Sequence, residues 1–290
     1  MSFGSVEALM RESANKGIPL WQAIVENDAQ ETGMEETAIF EKMRYMYLEM
    51  KDSDAKYDPT LQSVSGLVGG DGGRLKDYYE GKESLAGTFL TEVMSKAIKM
   101  SESNACMKKI VAAPTAGSCG VIPAVLLTYQ EFRNRSEDDM VKALIVAAGI
   151  GQIIAENASM AGAEGGCQAE IGTAAAMSAA AVAYLETENN DCIANAAALA
   201  IKNMLGLTCD PVAGLVEVPC VKRNAAGAVN SVIAAQIACS GIISRIPVDQ
   251  VIDSMRRIGR LIPACLRETG EAGLATTPVG LEIVKKINEI

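Results

Sequence analysis

Three cysteines stand in settings suited to metal chemistry. Cys167 follows two glycines in GGCQAEIG, Cys209 precedes a proline-broken turn in LTCDP, and Cys220 follows a proline in EVPCVKRN. Glycine-rich helix starts and loops present backbone N–H groups that favour thiolates and leave them accessible to metal. Three loop thiolates suit an iron–sulfur cubane that keeps one iron free of protein sulfur. Such an open coordination position separates a catalytic metal site from a closed structural one. The separations, 42 positions from Cys167 to Cys209 and 11 from Cys209 to Cys220, match no compact ferredoxin run. Spacing alone therefore leaves the plainer reading, small buried residues, standing. Cys239, in AAQIACSG, falls within an apolar helix, and Cys192 and Cys265 fall within predicted helices. These three read as core residues. The sequence contains no histidine, which excludes Ser–His and Cys–His nucleophile pairs and imidazole-bound zinc within this chain.

Polar residues gather in two further small-residue segments. SVSGLVGGDGGRL (63–75) offers the Ser63 and Ser65 hydroxyls and, around Gly66, a run of backbone donors suited to a carboxylate. Five glycines between positions 66 and 73 let that backbone approach a ligand closely. The segment lacks the Gly-Lys-Ser/Thr ending of a nucleotide-binding Walker loop. A mobile surface loop is its plain alternative, and an exposed turn aspartate is the plain reading of Asp71. In APTAGSCG (113–120), Thr115 and Ser118 are hydroxyl donors or, more simply, turn and helix-capping residues. Lys222, Arg223 and Asn224 directly follow Cys220. A lysine near a cluster is a candidate base, since burial or charge shifts its pKa readily; a solvated charge pair is the alternative.

The elements that must position these residues read as helices. Candidates are 5–14, 19–30, 34–57, 84–106, 122–133, 137–156, an alanine-rich helix within 162–186, 191–204, 225–242, 247–263 and 278–288. Loops are expected at 58–81 and 206–224, with 216–221 as the one convincing short strand. Alanine, glycine and methionine are plentiful and aromatics make up 4%, a mix that favours closely packed helices over a β-sandwich. The expected fold is mainly α, a single helical domain over 1–290 with glycine-rich loops forming the active site. A net charge of −10 argues against a nucleic-acid partner. No secretory signal opens the sequence. The apolar runs are too short, or too rich in Asn, Gln and Ser, to span a bilayer. A cytoplasmic location without membrane association is expected, and eight cysteines in such a chain argue against a disulfide framework.

GCQAEIG (166–172), LGLTCDPVAGLVEVPCVKRNAAGAV (205–229), SVSGLVGGDGGRL and VAAPTAGSCGVIPAV (111–125) together resemble the α chain of the bacterial iron–sulfur-dependent L-serine dehydratases. The resemblance implies a [4Fe–4S] cluster on Cys167, Cys209 and Cys220, and a lyase that converts L-serine to pyruvate and ammonia. The cluster would act as Lewis acid on the substrate hydroxyl, lowering the cost of its departure. Beside the cluster ligands, the residues themselves offer Ser63, Ser65, Gly66, Asp71, Thr115 and Asn224 as candidates to bind substrate, with Asp71 the candidate for the ammonium, and Lys222 as the candidate for an otherwise unidentified base. A separate β chain is implied, giving a hetero-oligomer. Single-chain relatives bring a C-terminal cysteine into the site; no cysteine follows Cys265 here, which leaves the fourth iron to water or substrate. Cys119 stands where alanine is expected and reads as a small buried residue or a fourth thiol near the cluster. Competing readings are a cluster-dependent lyase acting on L-threonine or L-cysteine, and a non-catalytic iron–sulfur redox or sensor subunit. A pyridoxal-phosphate dehydratase would need a parallel sheet that the helical pattern does not supply.

Overall fold

The computed structural model describes residues 3–289. Within them the chain forms α1 (Val6–Lys16), α2 (Leu20–Thr32), α3 (Glu36–Ala55), α4 (Asp71–Tyr79), α5 (Gly87–Ala105), α6 (Val121–Arg133), α7 (Glu137–Asn157), α8 (Gly162–Gly165), α9 (Cys167–Thr187), α10 (Asn190–Lys202), α11 (Cys220–Cys239), α12 (Val248–Leu261) and α13 (Pro278–Asn288). No β-strand occurs among the described residues, so the mainly α expectation holds; a lone bridge pairs Cys209 with Arg267. Among the described residues no helix is long and apolar enough to cross a membrane.

Local sequence explains several helix starts. The Ser136 side chain accepts from the Asp139 N–H, and Glu137, Asp138 and Asp139 complement the positive end of α7. Asn189 caps α10 in the same way, accepting from Cys192 N–H. Alanine-rich α9 is the central rod, packed against α6, α7, α10 and α11. From Cys167 to Leu185 every residue of α9 is buried except Glu170. A helix apolar on all sides must lie inside the protein, so the one interruption marks where the rod meets something other than core. Small residues set the packing distance: a Cβ on Gly227 of α11 would lie 2.6 Å from Ile171 Cγ2 of α9.

Three expectations fail, for physical reasons. The predicted loop 58–81 contains α4, although Gly72 and Gly73 disfavour a helix. The deeply buried Glu102 carboxylate supplies the missing cap, accepting from Asp71 N–H (2.8 Å) and Gly72 N–H (3.1 Å). The predicted strand 216–221 does not form. Pro219 instead precedes the first turn of α11, which begins five residues earlier than expected and carries Cys220, Lys222, Arg223 and Asn224 on a helix. Likewise α12 stops at Leu261, and Cys265 lies in a short 3-10 turn, Ala264–Leu266, not in a helix. Cys192 and Cys239 do lie on helices and are half-buried at the edge of the core.

Candidate functional site

Cys167 is the first residue of α9. Gly166 before it has φ +76°, and a Cβ there would strike Leu207 O at 2.8 Å, so only glycine admits the neighbouring segment so closely. That segment is the one leading to Cys209. Gln168 N–H donates to Leu207 O (3.0 Å), while the Gln168 side chain accepts from Gly206 N–H (2.9 Å) and donates to Met255 O (3.0 Å). Gln168 thus ties the α9 start to the Cys209 loop and to α12. Cys209 is pinned from its other side by Leu266 and Glu268, whose backbones bond to its N–H (2.9 Å) and its carbonyl (2.7 Å). The two thiols arrive together from elements 42 positions apart.

Glu170 completes this cluster. One helical turn beyond Cys167, it shares that residue's face of α9. The ligand atoms of Cys167, Glu170 and Cys209 all lie within 4.8 Å of one another. Glu170 Oε1 accepts from Thr115 Oγ1 at 2.9 Å, and Thr115 in turn meets Ser118 Oγ at 3.0 Å. The walls here are glycine. A Cβ on Gly117 would sit 3.0 Å from Glu170 Oε1, and one on Gly162 would sit 2.9 Å from Glu170 Oε2 and 3.0 Å from Cys209 Sγ. Cys220, also buried, opens α11 outside the 4.8 Å set.

The charges are arranged around the Cys167 thiol. A hydrogen bond from Cys209 and the nearby Arg223 guanidinium hold the Cys167 thiol below its ordinary pKa in spite of burial, and Cys209 is raised in exchange. Burial, and then the charges of Cys167 and Glu170, push Cys220 up to about 12. Burial also raises Glu170, opposed in part by the Thr115 hydrogen bond. Arg223 organises the set: it donates to Cys167 Sγ (3.3 Å), Thr208 O (2.8 Å) and Asp210 Oδ1 (2.9 Å). Asp210 Oδ2 accepts from Leu274 N–H at 2.9 Å, which anchors the pair to the C-terminal segment.

The other residues singled out in the sequence fall in a ring about the α11 start. Ser63 and Ser65 both donate to Glu217 Oε2, Ser63 at 2.9 Å, and meet each other at 3.0 Å. Gly66 makes the turn between them and Val68 with φ +72°. Asp71 is paired with Lys222, which is 55% exposed, and with Arg74 at 2.9 Å. The buried Asn224 amide is committed to backbone: it accepts from Gly120 N–H (2.9 Å) and donates to Gly117 O (2.8 Å) and Cys220 O (3.0 Å). It therefore fixes the Gly117 wall to α11. Cys119 points away, its thiol against Met100 O and pushed up to about 12 by burial, in keeping with a small core residue.

Sequence reading overlooked Glu170 and Glu217. Glu170 carried a usable signal: its i+3 spacing from Cys167 at a helix start places both on one face. Glu217 carried none, because its contacts to Ser63 and Ser65 are tertiary.

The chain matches known proteins over most of its length. Residues 15–275 match the family described as serine dehydratase alpha chain. The chain is 44% identical over 285 residues to the probable L-serine dehydratase, alpha chain, of Bacillus subtilis (98% of this chain, 95% of that one). It is 38% identical over 270 residues to the L-serine dehydratase, alpha chain, of Peptoniphilus asaccharolyticus (92% of each). It is also 44% identical over 181 residues to L-serine dehydratase 2 of Escherichia coli, covering 62% of this chain and 40% of that longer one. The chain belongs to the serine dehydratase alpha chain family and is an enzyme of the lyase class.

Proposed function

We propose that this chain is the cluster-bearing α subunit of an L-serine dehydratase, converting L-serine to pyruvate and ammonia. The observation that carries the reading is the buried Cys167–Cys209–Glu170 group walled by Gly117 and Gly162, in a chain whose relatives are named L-serine dehydratase over nearly its full length. The donor set fits a [4Fe–4S] cluster: three buried thiols, two already adjacent, beside glycines that keep a cradle clear of side chains. Cys167, Cys209 and Cys220 would hold it. When bound, the cluster supplies Lewis acidity at an iron without a protein thiolate, easing departure of the serine hydroxyl.

This chain's residues supply the rest. Arg223 favours the charged form of Cys167 and locks its loop through Asp210. Glu170 Oε2, facing Gly162, is assigned the α-proton; burial makes this carboxylate more basic than an exposed one. Lys222 and Asp71 satisfy each other at the rim, which favours Glu170 over Lys222 as base. Ser63, Ser65, Gly66 and Thr115 are assigned to the substrate's carboxylate and ammonium, with Asn224 as the brace behind them. Loss of the α-proton and of water gives aminoacrylate, which tautomerises and hydrolyses. The designation alpha chain in the relatives supports a separate β chain and a hetero-oligomer. A cytoplasmic enzyme is proposed, and the acidic composition argues against a nucleic-acid partner.

The test is anaerobic reconstitution with iron and sulfide in the presence of the β chain, followed by pyruvate assays on L-serine, L-threonine and L-cysteine. Turnover on serine above the other two is expected. Fully reconstituted enzyme that makes no pyruvate from serine overturns the proposal.

A further inference from the structure

Two cysteines outside the site face each other. Cys192 lies in the first turn of α10 and Cys239 is the last residue of α11. Their sulfurs are 3.4 Å apart although 47 positions separate them in the chain. Both are half-buried, and Cys239 lines an open groove of about 500 Å³ with Phe89, Phe132 and Ile233, wide enough for a small molecule to reach it.

The backbone around both is fixed. Asn189 Oδ1 accepts from Cys192 N–H at 2.9 Å, and Ser240 N–H closes the end of α11 on Gln236 O at 3.1 Å. The segment after α11 is stitched back to α10 by Ser244 N–H donating to Asn195 Oδ1 at 2.7 Å. With the backbone held, rotation of the two short side chains is the movement left to bring the sulfurs from 3.4 Å to bonding distance. Burial first, and then the neighbouring Cys192, push the Cys239 thiol up to about 12, so Cys239 rests as a thiol at neutral pH.

We propose that Cys192 and Cys239 form a reversible dithiol–disulfide site for low-molecular-weight disulfides. One thiolate attacks a sulfur of the small disulfide, forming a mixed disulfide and releasing one small thiol. The second protein thiolate attacks the protein-side sulfur, forming the Cys192–Cys239 bond and releasing the second small thiol. The protein loses two electrons and two protons, and the small disulfide gains both. The closed loop spans Cys209 and Cys220, so the bridge restrains the segment that carries two of the site's three thiols and leaves those thiols themselves untouched.

The experiment places the holoenzyme under anaerobic conditions in buffers of varied oxidised-to-reduced glutathione ratio, then alkylates under denaturing conditions and maps the peptides. A peptide linking Cys192 to Cys239 is expected, growing with the oxidised fraction and lost on adding dithiothreitol. Cys192→Ser and Cys239→Ser should abolish it, and at least one of these variants should trap glutathione on the remaining cysteine. The oxidised protein should melt at a higher temperature than the reduced one, a difference absent in both variants. Free alkylation of both cysteines at every ratio overturns the proposal. So does stable glutathionylation of the unsubstituted protein without a bridge. Neither outcome depends on whether serine is turned over, so the inference stands or falls apart from the proposed function.

Discussion

Arg223→Met removes the cation that joins Cys167, Thr208 and Asp210. The side chains of Arg223 and Asp210 are 17% and 7% exposed, so the pair is largely withdrawn from solvent. Removing one partner of a buried ion pair costs about 3–5 kcal/mol, mostly from the charge left behind. The residual exposure of Arg223 and the Leu274 N–H that stays on Asp210 place this case near the lower end, at about 3 kcal/mol. For a chain of this size that corresponds to a melting temperature lower by about 6 °C. Equilibrium urea unfolding of the apo chain measures the loss. The decisive comparison is the Asp210→Asn background, where no buried carboxylate is stranded and Arg223→Met should cost only about 1 kcal/mol. Equal losses in the two backgrounds would contradict the assignment of Arg223 as the electrostatic brace of the Cys209 loop, as would a single-variant loss under about 1 kcal/mol.

Gly227→Val drives a branched side chain into Ile171 and Val121, whose nearest atoms lie 2.6 and 3.3 Å from a Cβ at that position; thermal unfolding should show a loss of about 1–3 kcal/mol. Cys119 is raised from 9.0 to about 12 by burial; the folded state keeps its proton where the unfolded state releases it. Its contribution is therefore complete below pH 9 and is lost as pH rises towards 12. In that window Cys119→Ala should flatten the fall of stability by about 1.4 kcal/mol per pH unit. Glu170→Gln should retain the fold in circular dichroism while cutting kcat for serine by a factor of about 10²–10⁴, the usual span for a lost general base. Glu102→Gln weakens the cap on α4, and hydrogen exchange of the Asp71 and Gly72 amides should accelerate while α9 amides stay protected.

The helical fold was legible because its signals are local. Ser136 and three acids announce α7, and the alanine run 173–183 with few charges announces a buried rod. What escaped depends on distant partners. Gly72 and Gly73 argue locally for a loop, and the carboxylate that makes them helical is Glu102, thirty residues on from Gly72. Pro219 disfavours a helix locally yet precedes one, so Cys220, Lys222, Arg223 and Asn224 lie on α11 and not in the expected strand at 216–221 and loop at 206–224. The candidate site divides the same way. The motifs located Cys167, Cys209 and Cys220, but the pairing of Lys222 with Asp71 spans 151 positions, and no local pattern encodes it. Asn224 illustrates the difference in kind: its place beside Cys220 suggested a ligand contact, whereas its amide is bonded to three backbone groups that hold Gly117 against α11.

The assignment of cluster ligands comes down to iron and acid-labile sulfide content in a set of serine variants, each reconstituted anaerobically and monitored by visible absorption. Cys167→Ser, Cys209→Ser and Cys220→Ser should each fail to retain a [4Fe–4S] cluster, whereas Cys239→Ser should hold as much iron and sulfide as the unsubstituted chain. Full iron and sulfide retention in any of the first three would remove that cysteine from the ligand set, and retention in all three would contradict the site.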